Sequence, residues 1–528
     1  MIYMMDPGQN ELFDHYQSFL SPVAYKRLTS GYHAVFRHVI LSLLPAAELA
    51  EHFDPTIGRP TKELYSMAGL VLLKEYHNWT TEEAAEAYMF DGRVQYALNL
   101  GRDNISFCER SLERYMKLIR EDDLAGKIFD DVTAHLVKKL EIKVDQQRLD
   151  STHVFSDMAT FSRTKLMGVT IKRFLLQLKR HHAGLYEQLP EEIRTRYEKR
   201  ENAMFADASK DKEKRSSLRS EVAEQMHNLI QFFAGNSSVE NMTTFKQLLT
   251  VFDQQCEVLD VVDVKVESSD SDDSKNNDEP ADEPTGESIE DEEDTPSEVI
   301  VRKKTGGNVI QNPSDPEATY DGHKGVGYQV QLSETSNPEN EVQLITSAIP
   351  ETAAEADANA VEKVLDDLER KGMMPNRLLS DSAYGGDDNV VNAAQKGVDI
   401  VSPVAGLPPK KPPTRPTEKQ IRLQKRRELQ ETGEWRIEYN IRAQVEGTIG
   451  SVKRRTGMVR LRYRGQPSMY TSIYLKLAGW NISRATASRK IQEMLSKRIA
   501  RAINGAKQLH EGTLLRRMML FQRQEWAA

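Results

Sequence analysis

The chain has 528 residues, 39% hydrophobic and 29% charged, with a formal net charge of −9. That length allows several domains with large cores, and no stretch approaches the roughly 18 uninterrupted apolar residues of a membrane span. Cys108 and Cys256 stand far apart in no metal spacing, and the N-terminus lacks a basic-then-apolar leader pattern, so a reducing cytoplasm without a disulfide framework is expected.

Residues 1–60 carry short amphipathic segments and no motif. From about 61 to 139 the chain reads as a run of helices. SMAGLVLLKEYHNW is apolar-rich. Thr80 or Thr81 can cap TEEAAEAYMF, whose first turn is acidic, and Ser106 or Ser111 can cap the helix through ERSLERYMKLIR. Short capped helices with tight connections suit a small DNA-binding bundle, and equally any compact helical domain.

The period then changes. EIKVDQQRLDSTHVFS alternates and is β-branched, which predicts a strand carrying Asp150. Residues 160–255 read as helical and charged. His181 and His182 have no third ligand at helical spacing and read as surface. Residues 267–298 hold 15 Asp/Glu against one Lys, a composition that predicts disorder or a mobile loop.

Strand signals resume at about 325. VGYQVQLSE and EVQLITSAI predict two adjacent strands turned at Ser336–Asn340, preceded by a turn with His323 and Lys324. DANAVEKVLDDLERKG predicts an amphipathic helix with Val361, Val364, Leu365 and Leu368 on one face and Gly372 as its stop. NRLLSDSAYGG predicts a short buried strand ending at Asp381, then a helix through NVVNAAQKG and a strand GVDIVSPV. The Pro- and Lys-rich linker GLPPKKPPTRPTEK leads into the basic helix KQIRLQKRREL. The order is three sequential strands, then crossover units, in a mixed α/β domain.

YNIRAQVEGTIGSVK follows. On one helix, Tyr439, Arg442, Glu446 and Lys453 fall within an arc of roughly 60°. Ala443 and Gly450 on that face leave room for a bulky substrate. Ile441, Val445, Ile449 and Val452 form an anchoring stripe about a quarter-turn away. A carboxylate, two cations and a phenol suit metal-assisted chemistry on a phosphate, although an i,i+4 pair such as Arg442 and Glu446 is equally common on solvated helices. Arg454, Arg455, Arg460, Arg462 and Arg464 interleave with Tyr463 in a pattern suited to a nucleic-acid track. Trp480 reads as core. Residues 410–528 hold 27 Lys/Arg against 9 Asp/Glu, as a polyanion-binding surface needs.

Asp150, Asp381 and Glu446 are three oxygen-donor acids on two strands and a later helix. If the fold gathers them, they can hold a pair of Mg²⁺ ions, with Mn²⁺ as the alternative ion. In these motifs the chain resembles a DDE-type transposase of a bacterial insertion sequence. LDSTHV resembles the segment of the first catalytic Asp, DSAY at 381–384 matches that of the second, and Tyr439, Arg442, Glu446 and Lys453 match the Y-x2-R-x3-E-x6-K signature. Asp315 and Asp321 compete as the second acid; Asp381 fits better because Ala-Tyr-Gly follows it at a strand end. His153 faces away from Thr152 and is not expected as a ligand.

The resemblance implies an α/β RNase H-like catalytic core, a mixed five-stranded sheet flanked by helices. An all-α N-terminal DNA-binding domain (1–139) would precede it. The core would comprise 140–158 and 315–485, interrupted by a mainly helical, partly disordered insertion (159–314) and followed by a basic helical tail (486–528). It further implies Asp150, Asp381 and Glu446 as catalytic metal ligands. Tyr439, Arg442 and Lys453 would hold DNA phosphates, and Arg454, Arg455, Arg462 and Arg464 extend the DNA track. The implied partners are double-stranded transposon ends and target DNA, the state a homodimer on paired ends, and the location the bacterial cytoplasm, on the nucleoid. The rivals are an RNase H-like nuclease that cuts without joining and a non-catalytic DNA-binding derivative.

Overall fold

The computed structural model describes residues 1–7, 15–101, 106–156, 158, 161–200, 204–205, 212–260, 297–406 and 415–501. The centre of the Pro- and Lys-rich linker, most of the acidic segment and the end of the basic tail lie outside the described residues. The chain divides into two compact units, Met1–Met158 with Glu317–Ala528, and Ala159–Pro316.

The first unit is built on a mixed sheet. Its long strands are β1 (Gln146–Ser156), β2 (Gly325–Thr335) and β3 (Ile345–Thr352), and its short ones β4 (Arg377–Leu379) and β5 (Asp399–Val401). The order is β3-β2-β1-β4-β5. β2 runs antiparallel to both β1 and β3, its link to β3 being the short turn at 336–340. β4 and β5 run parallel to β1, each reached by a crossover containing a helix.

Two further short strands join this sheet. Thr319–Asp321 pairs with β2, and Arg460–Leu461 pairs with the end of β1. The sheet therefore has seven strands, not five. The extra pair arises because β1 and β2 are 11 residues long and outrun their main partners.

Helices cover both faces. On one side lie α1 (Leu64–His77), α2 (Leu124–Leu140) and, after the sheet, α7 (Gln444–Thr456) and α8 (Gln466–Ala485). Leu70, Ile128, Val445 and Leu477 join Val154, Val330 and Leu332 in one buried cluster. The helices before β1 thus share a core with the sheet. On the other side α3 (Ala360–Arg370) packs Val364, Leu365 and Leu368 against Leu149, Leu378 and Ile400. α4 (Asp387–Gln395) follows, then α5 (Glu418–Gln430) and α6 (Gly433–Asn440).

Local chemistry explains the helix ends. Thr80 and Glu83 form a reciprocal capping box. The helix Glu109–Glu121 starts at Cys108, not at either serine. Gly372, at φ +65°, follows the end of α3. Trp480 is buried at 7% exposure.

The second unit packs the helices Arg163–His181, Lys212–Phe233 and Thr243–Gln255 around Phe174, Leu178, Met226, Phe233, Phe245 and Leu248. Cys256–Asp260 pairs antiparallel with Ser297–Val301. Ser297 and Glu298 therefore belong to a strand and correct the predicted end of the acidic loop, because alternation resumes at SEVIV. Among the described residues no helix is long and apolar enough to cross a membrane.

Candidate active site

The parallel pairing of β1 with β4 ends at Arg148 opposite Leu379. Asp150 and Asp381 each stand two residues further along. Since side chains alternate along β1, Asp150 leaves the sheet on the face opposite Leu149, which is buried against α3. Asp381 is not on the strand. It opens the turn after β4, its carboxylate accepting the Ala383 N–H at 2.8 Å while Ser402 donates to its carbonyl. The backbone pairing ends with the Ser380 N–H bonded to the Val401 carbonyl at 3.1 Å, and that leaves the Asp381 carboxylate at the rim.

The helical stretch carrying the third acid is not one continuous helix. α6 ends at Asn440, a 3₁₀ turn spans Ile441–Ala443, and α7 begins at Gln444. Tyr439 is therefore on α6, Arg442 in the turn, and Glu446 and Lys453 on α7. The single 60° face is corrected accordingly, since a 3₁₀ turn advances each residue by more than an α turn does. Val445, Ile449 and Val452 are buried as an anchoring stripe, while Ile441 is only partly buried.

Arg442 is the centre of the site. One guanidinium nitrogen, Nη2, lies 3.3 Å from Asp150 and 3.9 Å from Asp381, and Nη1 lies 3.3 Å from Glu446. Its side chain is 14% exposed, against 66% for Glu446. Three acids spread along almost 300 residues of chain thus meet one cation. Asp150 is pushed up to about 6, chiefly by burial, with Asp381 and Glu446 adding to the rise and Arg442 opposing it. Among the described residues no group of three or more acids, His or Cys stands in position to hold one ion with the guanidinium between them. The donor set nevertheless suits a hard divalent cation, being all oxygen in a place already occupied by positive charge.

The flanking residues fall into two sets. Tyr439 is half-buried, its ring stacked on Trp435 at 4.8 Å, and burial raises its phenol above the usual range. Lys453 is half-buried, and burial together with Lys324 lowers its ammonium. Lys324 reaches Ser151 Oγ at 3.5 Å, beside Asp150. Arg454, Arg462 and Arg464 are exposed. Arg455 donates through Nε to the Tyr76 hydroxyl at 2.7 Å. Tyr463 is tied by its hydroxyl to Lys74 and Glu75 on α1, so it belongs to a buried polar cluster and not to a stacking track.

The competing acids go elsewhere. Asp321 accepts the His323 and Lys324 N–H groups in a turn, and Asp315 is buried in the second unit. His153 is buried on β1, and His181 and His182 are in the second unit. Sequence reasoning missed Arg148, Glu334 and Trp435. A charged residue two places before Asp150 in an otherwise alternating strand was the available signal for Arg148.

Residues 309–482 match the family model described as a transposase DDE domain. The chain carries a transposase DDE domain. The matched stretch contains Asp381, Tyr439, Arg442, Glu446 and Lys453, and Asp150 precedes it. The DDE domain thus supplies two of the three acids around Arg442, and β1 supplies the other. No curated protein and no solved structure matches the chain.

Proposed function

We propose that this protein is the DNA transposase of an insertion sequence, with an RNase H-like core. It would bind terminal inverted repeats, nick DNA at the element ends and join the 3′ ends to target DNA. The observation that carries this reading is the meeting of Asp150, Asp381 and Glu446 around Arg442. Three antiparallel strands followed by two parallel ones, with the acids at the rim beyond the β1–β4 pair, support the RNase H-like assignment.

Asp150, Asp381 and Glu446 would hold two Mg²⁺ ions, or Mn²⁺. Such ions supply an activated water or 3′-hydroxyl and stabilise the leaving oxygen. The chain's own groups do the rest. Arg442 holds the acids together before substrate arrives, then turns its guanidinium to a backbone phosphate. Lys453 and Lys324 hold phosphate oxygens on the Ser151 side. Tyr439, braced by Trp435, positions the strand by its hydroxyl. The exposed arginines 454, 462 and 464 extend the contact along the duplex. Two ends demand two active sites, so a homodimer forms on paired DNA.

The test uses labelled inverted-repeat DNA from the flanks of the reading frame, incubated with the full chain and Mg²⁺. Nicking at the repeat ends and transfer of the labelled 3′ end to a second DNA are expected. Nicking without transfer would instead indicate a nuclease, and binding without either would indicate a non-catalytic DNA-binding protein.

A further inference from the structure

Beneath the three acids lies an ion pair that the chemistry above does not use. Arg148 on β1 and Glu334 on β2 are directly opposite in the antiparallel register. Their side chains are only 3% and 2% exposed. Arg148 Nε and Nη2 both donate to one Glu334 oxygen, at 2.8 and 2.6 Å. The pairing of β2 with β3 shifts register at Ser333–Glu334, and such an irregularity re-aims a side chain.

The pair does not end within the sheet. Arg148 Nη1 donates to the Ile441 carbonyl at 3.2 Å and to Gln444 Oε1 at 3.0 Å. The other Glu334 oxygen accepts from Thr448 Oγ1 at 3.0 Å. Positions 441, 444 and 448 recur every three to four residues, along one side of the turn and the helix. The contacts therefore bracket both Arg442 and Glu446. Glu446 itself is exposed at the rim, so its place depends on where this stretch is held. Asp150 lies two residues from Arg148 on the same strand and the same face. One rigid strand therefore carries both an acid and the clamp that locates another acid.

We propose that Arg148 and Glu334 are positioning residues that set the separation of Glu446 from Asp150, and so the divalent-cation affinity of the site. The inference rests on reading the three acids as a cation site. A buried ion pair is a poor source of stability, because desolvation offsets most of the attraction, whereas its fixed geometry confers specificity. Every donor on Arg148 named here is used either to hold its partner or to hold the turn.

Two variants of the full chain test this. Arg148→Met with Glu334→Met replaces the pair by apolar groups of similar length. Gln444→Ala with Thr448→Val leaves the pair intact and removes two links on the helix side, at positions outside the core, one exposed and the other half-exposed. Mn²⁺ binding is titrated by electron paramagnetic resonance without DNA, and amide exchange is followed over 441–448. Weaker Mn²⁺ binding by about 10- to 100-fold, with faster exchange and wild-type thermal unfolding in the Gln444/Thr448 variant, is expected. Wild-type affinity in a folded variant of either kind would overturn the clamp. A wild-type chain that binds no Mn²⁺ overturns the cation site and the clamp together. One that binds Mn²⁺ but does not cut DNA overturns only the proposed function.

Discussion

At the residue scale, Arg442 and Asp150 define what the site can do. Burial among acids holds the Asp150 carboxyl protonated up to about pH 6. Its folded pKa lies above the unfolded value near 4, so the fold gains from the protonated form below that value and loses the gain as pH rises through about 6. Asp150→Asn should therefore stabilise the protein above pH 6, by on the order of 1–3 kcal/mol, read as a denaturation midpoint above that of the wild type at pH 8 and equal to it at pH 4. At the proposed cation site the same ionisation would govern binding, and metal-dependent nicking should fall as pH drops below about 6. Asp381→Ala should lower nicking by at least about 100-fold while leaving DNA affinity in a gel-shift assay near wild type. Persistent cleavage by that variant would remove Asp381 from the site. Three motifs in the sequence single out Asp150, Asp381 and Glu446 as candidates. Arg442's simultaneous contact with all three could not be read there, because it depends on the 3₁₀ turn and on the β1–β4 register.

At the element scale, close approach of backbones matters as much as apolar area. α8 passes α1 at Gly479, where an added Cβ would stand 2.5 Å from the Tyr76 Cβ. That neighbour is anchored to backbone and cannot swing aside. Gly479→Ala should cost roughly 1–3 kcal/mol, measured as a lower midpoint in urea with an unchanged slope. The predicted strands and helices around the site are found within a few residues of their expected bounds, since period and turn residues act locally. The break at Ile441–Ala443 escaped because no Gly or Pro marks it. Arg148 holds the Ile441 carbonyl from a strand almost 300 residues away, and a sequence window carries no record of that contact.

At the scale of the whole molecule, the inserted segment has its own core of Phe174, Met226, Phe233 and Phe245. Residues 159–316 expressed alone should unfold cooperatively on heating, followed by circular dichroism; a featureless melt would contradict that. The basic surface should make DNA binding strongly salt-dependent. Neutralising Arg454, Arg462 and Arg464 with Gln should reduce the slope of log affinity against log salt by about 3, measured by fluorescence anisotropy. An unchanged slope would remove these arginines from the DNA path.

The sequence by itself determined which residues are candidates for the chemistry, the order of the five main strands and the helices between them, and the place of a large interruption after the first strand. These follow from periodicity, turn chemistry and charge, all of them short-range. Only the tertiary structure decided that the acids meet on one guanidinium, that Tyr463 turns inward to Glu75 while Lys324 turns toward Ser151, and that an Arg–Glu pair ties sheet to helix. Those outcomes depend on strand register and on contacts between distant segments, where one residue of slip moves a side chain to the opposite face.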